Sequence, residues 1–175
     1  MGDEPAADAG VPAGIAGSFA AGARVGGYRL EQQLGRGGMA VVYLARDERL
    51  GRLVALKIMA PERAADEEFR KRFIRESRAA AAVDHPHIIP VFDAGEAGGL
   101  LYIAMRYVPG GDVGTVVHRA GSLSPGRAAA VISQVAAALD AAHAAGLVHR
   151  DVKPANMLVD VGTAGRITST WPISG

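Results

Sequence analysis

Cysteine is absent from the 175 residues of this chain, which excludes disulfides, thiolate zinc sites and cysteine nucleophiles. A chain without thiols suits a reducing cytoplasm. An excess of charge is missing too: 19 basic residues stand against 18 acidic ones, a formal net charge of +1. No broad field directs the chain to nucleic acid or to an anionic membrane, so binding must come from a local site. No apolar run approaches the roughly 20 residues of a membrane helix, and Met1-Gly2-Asp3-Glu4 lacks the basic start of a secretory signal. The expectation is a soluble cytoplasmic protein with no membrane span in this chain. What is present is 49% apolar content, enough for one ordinary domain with a sizeable core.

Residues 1–24 are Ala, Gly and Pro with scattered acids, and only Val11, Ile15 and Phe19 are sizeable apolar residues. Such a stretch cannot offset its ordering entropy by burial and is expected to be a disordered tail. Strand patterns follow at residues 28–31, 41–45 and 53–59. Between the first two lies Leu34-Gly35-Arg36-Gly37-Gly38-Met39-Ala40, whose glycines let backbone N–H groups approach phosphate oxygens closely. A tight hairpin turn is the plain alternative. A dinucleotide-binding fold would open a helix next, whereas Val41 to Ala45 is β-branched and aromatic, hence strand.

Alternation along Val54-Ala55-Leu56-Lys57-Ile58-Met59 puts Ala55, Lys57 and Met59 on one face and the bulky aliphatics on the other. Lys57 thus shares its face with a small residue; a snorkelling strand lysine is the plainer reading. A helix is expected over residues 66–83, with Phe69, Phe73, Glu76, Ala80 and Val83 on one face. Glu76 is then a carboxylate on an apolar stripe and needs a cation. Lys57 is one candidate; Arg72, Arg75 and Arg78 offer local surface pairs. His85 and His87 flank Pro86 and read as structural rather than as metal ligands. Strands at residues 89–94 and 101–107 precede Asp112, which faces a ribose or caps the short helix after it, with the cap favoured. Ser124-Pro125 opens the longest helix, which ends before Gly146. Its stripe Val131, Val135, Leu139 and Ala142, among many alanines, predicts a mostly buried helix. His143 within it reads as a core histidine.

The stretch His149-Arg150-Asp151-Val152-Lys153-Pro154-Ala155-Asn156 brings a proton acceptor, a cation and a hard oxygen ligand onto one loop that Pro154 keeps from becoming helix. It resembles the protein-kinase catalytic loop in its serine/threonine form. The glycine-loop hairpin, with Ala40 where the third glycine usually falls, and Val54-Ala55-Leu56-Lys57 are similar to two further kinase motifs. Met105-Arg106-Tyr107-Val108 resembles the kinase hinge, with Arg106 in place of the usual Glu. Four motifs in order over residues 28–159 identify the chain as similar to bacterial eukaryotic-like serine/threonine protein kinases.

That resemblance implies an α+β fold: an antiparallel β N-lobe with one main helix and hinge (residues 25–108), then an incomplete, mainly α C-lobe (residues 109–160). It implies an ATP site formed by Leu34, Gly35, Gly37, Gly38, Val42, Ala55, Lys57, Glu76, Met105, Arg106 and Val108. Lys57, held by Glu76, would meet the α and β phosphates. Asp151 would accept or orient the proton of a substrate hydroxyl, Lys153 would steady the γ-phosphate, and Asn156 would hold a Mg²⁺ ion. The expected partner is a protein substrate. The resemblance also implies an Asp-Phe-Gly soon after Val159, which residues 160–175 do not contain. Codons for Ile167 to Gly175 can be chosen so that the neighbouring frame spells Asp-His-Val-His-Leu-Ala-Asp-Phe-Gly. Residues 161–175 are therefore expected to be an aberrant tail from a frameshift or sequencing error. Transfer by the chain as written is expected to be impaired. An ATP-binding or regulatory fragment without phosphotransfer is the alternative, and a nonfunctional gene fragment a third.

Overall fold

The computed structural model describes residues 19–160 and the backbone of residues 166–169. Its first sheet is antiparallel throughout and is built from β1 (Arg24–Val25), β2 (Tyr28–Arg36), β3 (Ala40–Asp47), β4 (Leu53–Met59), β5 (Val91–Ala97) and β6 (Leu100–Arg106), in the order β1-β2-β3-β4-β6-β5. Alternation along β4 separates two environments as the pattern requires. Val54, Leu56 and Ile58 pack with Tyr28, Tyr43 and Tyr102 on one face, while Ala55, Lys57 and Met59 face a cleft on the other.

Part of the expected tail is ordered against this sheet. Phe19 donates its N–H to Tyr43 Oη at 2.8 Å, and the two rings meet edge to face with centroids 6.1 Å apart. An aromatic at residue 19 thus supplies a contact that the surrounding Ala and Gly cannot. Residues 1–18 lie outside the described residues.

Four helices complete the described chain: α1 (Pro61–Ala64), α2 (Glu67–Ala81), α3 (Val113–Ala120) and α4 (Pro125–Ala144). Helix α2 starts where Asp66 accepts the N–H groups of Glu68 and Phe69, with Glu67 and Glu68 adding favourable charge in the first turn. Its buried face is Phe69, Phe73, Ser77 and Ala80. Glu76 is therefore off the stripe that the sequence suggested, half-buried at its flank. Asp112 caps α3, accepting from Thr115 N at 2.9 Å and Thr115 Oγ1 at 2.7 Å.

Ser124 caps α4 and Pro125 fills its first turn. Beyond it, Gly146 takes φ +75° while Leu147 N–H returns to Ala142 O at 2.9 Å, closing the helix end in the manner of glycine C-caps. The expectation of a mostly buried α4 is corrected: among the described residues only Val135, Ala138 and Ala142 are buried along it, Ile132 is 61% exposed, and His143 is exposed rather than in the core. The reason is geometric, since the described elements cover this helix along one stripe only. That stripe still joins the two halves. Ala138, Ala142 and Leu147 share one core with Met59, Phe69, Phe73, Leu101 and Ile103, so the two halves meet in one continuous apolar cluster.

After a short 3₁₀ turn, Pro154–Asn156, strand β7 (Met157–Asp160) pairs antiparallel with β8 (Arg166–Ser169). The rest of the expected aberrant tail, residues 161–165 and 170–175, lies outside the described residues. An antiparallel sheet segregated from its helices is the α+β class expected. Among the described residues, no helix is long and apolar enough to cross a membrane.

Candidate active site

A cleft of about 710 Å³ lies between the first sheet and the segment that carries Asp151, within the roughly 300–1,000 Å³ of small-molecule sites. Its lining includes Leu34, Gly35, Gly37, Gly38, Val42, Ala55, Lys57, Met105, Arg106, Val108, Asp151, Lys153 and Asn156. Of the residues that the sequence nominated, Glu76 alone does not line it.

The roof is the β2–β3 hairpin. Gly37 N–H turns back to Ala40 O at 2.9 Å, while Gly38 and Met39 donate their N–H groups to no acceptor among the described residues. None of Gly35, Gly37 and Gly38 has a positive φ. A Cβ would meet nothing within 4 Å at Gly35 or Gly38, and only Ala40 O at 3.8 Å from Gly37. The fold itself therefore does not require glycine at these positions. They leave open space close to two bare N–H groups, a donor set suited to phosphate.

In register, Lys57 stands between Val42 on β3 and Ile103 on β6, so its ammonium is drawn out of water into the cleft. Burial pushes its pKa below the usual lysine value, and the negative charge of Asp151 opposes that shift. The expected ion pair with Glu76 is not formed: no contact within 4.0 Å joins the two among the described residues, and Glu76 lies outside the cleft. The displaced face of α2, with Ser77 where Glu76 was expected, is the cause.

The Asp151 loop is assembled from its own sequence. His149 is 3% exposed, and both its carbonyl and Nδ1 accept the Asp151 N–H, at 2.8 and 3.3 Å. To reach that geometry Arg150 takes φ +60°, in the left-handed region that few non-glycine residues enter. Asn156 then donates Nδ2 to the Asp151 carbonyl at 2.8 Å and to Asp151 Oδ2 at 2.9 Å, while Lys153 Nζ approaches Oδ2 at 2.7 Å. These contacts, that of Lys153 first, hold the Asp151 carboxyl below the usual carboxylate range. Because Nδ2 is committed to Asp151, Oδ1 is the atom of Asn156 suited to ligate a hard cation. An amide oxygen close to a carboxylate fits Mg²⁺, which takes few protein ligands and completes its shell with water and phosphate.

Along the wall of the cleft, strand β7 is stitched to the segment after β6. Val159 N–H donates to Gly111 O at 2.9 Å, Leu158 bridges Asp112, and Arg106 reaches Asp160 at 3.9 Å. Arg106 is thus a cross-strap as well as a wall. Leu158, Met59 and Asp112 also line the cleft; of these the sequence points only to Asp112, as a residue that faces a ribose or caps the following helix. Period-two alternation from Asn156 would have pointed to Leu158, since Met157 beside it enters the core with Val113 and Val135.

Comparison with known proteins finds matches over most of the chain. The protein kinase domain family matches residues 28–168. The serine/threonine-protein kinase PknE of Mycobacterium tuberculosis is 49% identical over 138 residues, 79% of this chain and 24% of that protein. PknJ of the same organism is 46% identical over 151 residues, 86% of this chain and 26% of that protein. The chain therefore spans about a quarter of the length of these curated relatives. The crystal structure of the Mycobacterium tuberculosis PknI kinase domain superposes with a TM-score of 0.79 at 41% identity, covering 90% of this chain and 64% of that one.

Proposed function

This chain belongs to the protein kinase domain family, and from that premise we propose that it carries the ATP site of an enzyme that phosphorylates serine and threonine hydroxyls of proteins. The observation that carries the reading is convergence. The bare N–H groups of Gly38 and Met39, the half-buried Lys57 ammonium and the Asp151–Lys153–Asn156 cluster open onto one cleft.

Adenine lies between Val42 and Ala55 above and Leu158 below, beside the backbone of Arg106 and Val108. Lys57 neutralises charge on the α and β phosphates. Asp151 receives or orients the hydroxyl proton as the substrate oxygen attacks the γ-phosphorus and ADP departs, while Lys153 offsets charge on the transferred group. Mg²⁺ held at Asn156 Oδ1 would supply further charge neutralisation. Residues 25–108 act as the phosphate-covering lobe and hinge, and 109–160 present the Asp151 loop. The balanced charge of the chain supports a protein substrate over nucleic acid. The cytoplasm, which holds ATP and Mg²⁺, is the place assigned to this chemistry.

Incubation of the purified chain with γ-labelled MgATP and a protein acceptor, beside Asp151→Asn, tests the reading. Label transfer that the substitution abolishes supports it. The open Lys57–Glu76 contact favours a second reading, nucleotide binding without transfer, and MgATP binding with no label transfer in either protein would support that instead.

A further inference from the structure

The glycine-loop tip carries a second chemistry. Met39 is 41% exposed, whereas Met59 and Met157 are 1% and 6% exposed and Met105 is half-buried. With no cysteine in the chain, Met39 is the most exposed oxidisable sulfur among the described residues. Its surroundings are specific. The Met39 carbonyl accepts the Ala60 N–H at 2.9 Å, and its Sδ accepts Arg63 Nη2 at 3.3 Å. Arg63 is itself steadied by the Phe69 ring, whose centroid lies 5.6 Å from its guanidinium carbon. The tip of the loop is thus fastened to α1 by one backbone bond and one weak sulfur contact.

We propose that Met39 is a reversible oxidation site through which peroxide-class oxidants weaken nucleotide binding in the cleft, an inference that rests on the nucleotide reading above. A sulfur lone pair takes one oxygen from the peroxide. The O–O bond breaks, water leaves, sulfur is oxidised by two electrons and the peroxide is reduced. The product, methionine sulfoxide, is reversible by reductases. It replaces a weak sulfur acceptor by an oxygen that the Arg63 guanidinium bonds strongly. One consequence opposes an anionic ligand: the tip is held more firmly to α1 and is less free to bring its N–H groups onto phosphate.

The test treats the purified chain with graded hydrogen peroxide and maps sulfoxides by mass spectrometry of proteolytic peptides. It then measures the MgATP dissociation constant and hydrogen exchange of residues 37–40 before and after treatment. Met39 should oxidise first, exchange of the loop should slow, and the dissociation constant should rise on the order of tenfold, the step expected when a charge-assisted oxygen bond replaces a sulfur contact. Methionine sulfoxide reductases should reverse all three. Met39→Leu, whatever its own affinity, should respond to peroxide in neither measurement, and Arg63→Ala should oxidise at Met39 without slowed exchange. Oxidation of Met39 no faster than that of Met59, Met105 and Met157, or a sulfoxide at Met39 that leaves both affinity and exchange unchanged, overturns the proposal. An untreated chain that does not bind MgATP defeats the nucleotide reading, and with it the proposed effect on binding, while the exchange measurement still decides whether the Met39–Arg63 latch exists.

Discussion

Lys153 Nζ lies 2.7 Å from Asp151 Oδ2, the oxygen that also accepts Asn156 Nδ2 at 2.9 Å. One oxygen of the candidate base thus meets both the cation and the candidate metal ligand, and the three side chains are positioned as a unit. The Lys153 and Asp151 side chains are 52% and 47% exposed, so water screens the pair and its contribution to stability is small. Its significance is positional.

The titration of Asp151 should report this unit. Its folded pKa is lowered by Lys153 first and Asn156 second. The associated stability is therefore present above the unfolded value of about 3.9 and fades as pH falls through the lower folded value. Carboxyl NMR should show Asp151 titrating below that unfolded value, and Lys153→Ala should move it upward more than Asn156→Ala does. Equal midpoints in all three proteins would mean that the contacts do not persist in solution.

The open contact between Lys57 and Glu76 makes a second prediction. If the Lys57 ammonium meets phosphate without help from Glu76, Lys57→Met should weaken MgATP binding by on the order of tenfold or more, the worth of one charge-assisted bond. Glu76→Gln should change it less than about twofold, because no bond to Lys57 is lost. Titration calorimetry on both variants decides. A loss at Glu76 equal to that at Lys57 would show that α2 swings inward when nucleotide binds.

Lys57 also predicts opposite pH slopes for stability and binding. Burial lowers its folded pKa, so over the alkaline window below the free lysine value of about 10.4 the unfolded chain holds more protons than the folded one. The contribution of this group to stability therefore rises with pH. Phosphate prefers the charged ammonium, so MgATP affinity should fall across the same window. Chemical denaturation and calorimetry at matched pH values read the two slopes, and Lys57→Met should flatten both.

Much of this site was legible in the sequence because its signals are local. Period-two alternation fixes which face Lys57 occupies, and a Pro after Lys153 ends any helix there. Glycines at 35, 37 and 38 are informative because the backbone has no need of them. What escaped was set by packing. A helical stripe through Phe69 and Phe73 continues through Glu76 on one side or Ser77 on the other, at comparable angular offsets, and the choice belongs to the neighbouring strands. Arg106 read as a hinge backbone residue, since its strap to Asp160 links chain segments far apart in sequence. The exposure of His143 depends on what covers α4, which no periodicity within the helix can specify.

A last prediction separates backbone cost from packing cost at the β1–β2 turn. Gly26 and Gly27 both take positive φ, +58° and +84°, so alanine at either is strained by about 1–2 kcal/mol. Only Gly26 is also crowded. A Cβ there would stand 2.5 Å from Tyr102 Cε1, whereas at Gly27 nothing lies within 4 Å. Tyr102 cannot readily yield. Its ring packs edge to face on Tyr28 at 5.7 Å, and its hydroxyl shares Asp93 Oδ2 with that of Tyr28, at 3.3 and 3.1 Å. Overpacking adds about 1–3 kcal/mol. Urea denaturation should therefore place Gly26→Ala below Gly27→Ala by that further amount. MgATP affinity should be equal in the two variants wherever they are folded, since the turn does not line the cleft. Equal stabilities would mean that the Tyr28–Asp93–Tyr102 contact yields, and that the outer face of the sheet is softer than its burial implies.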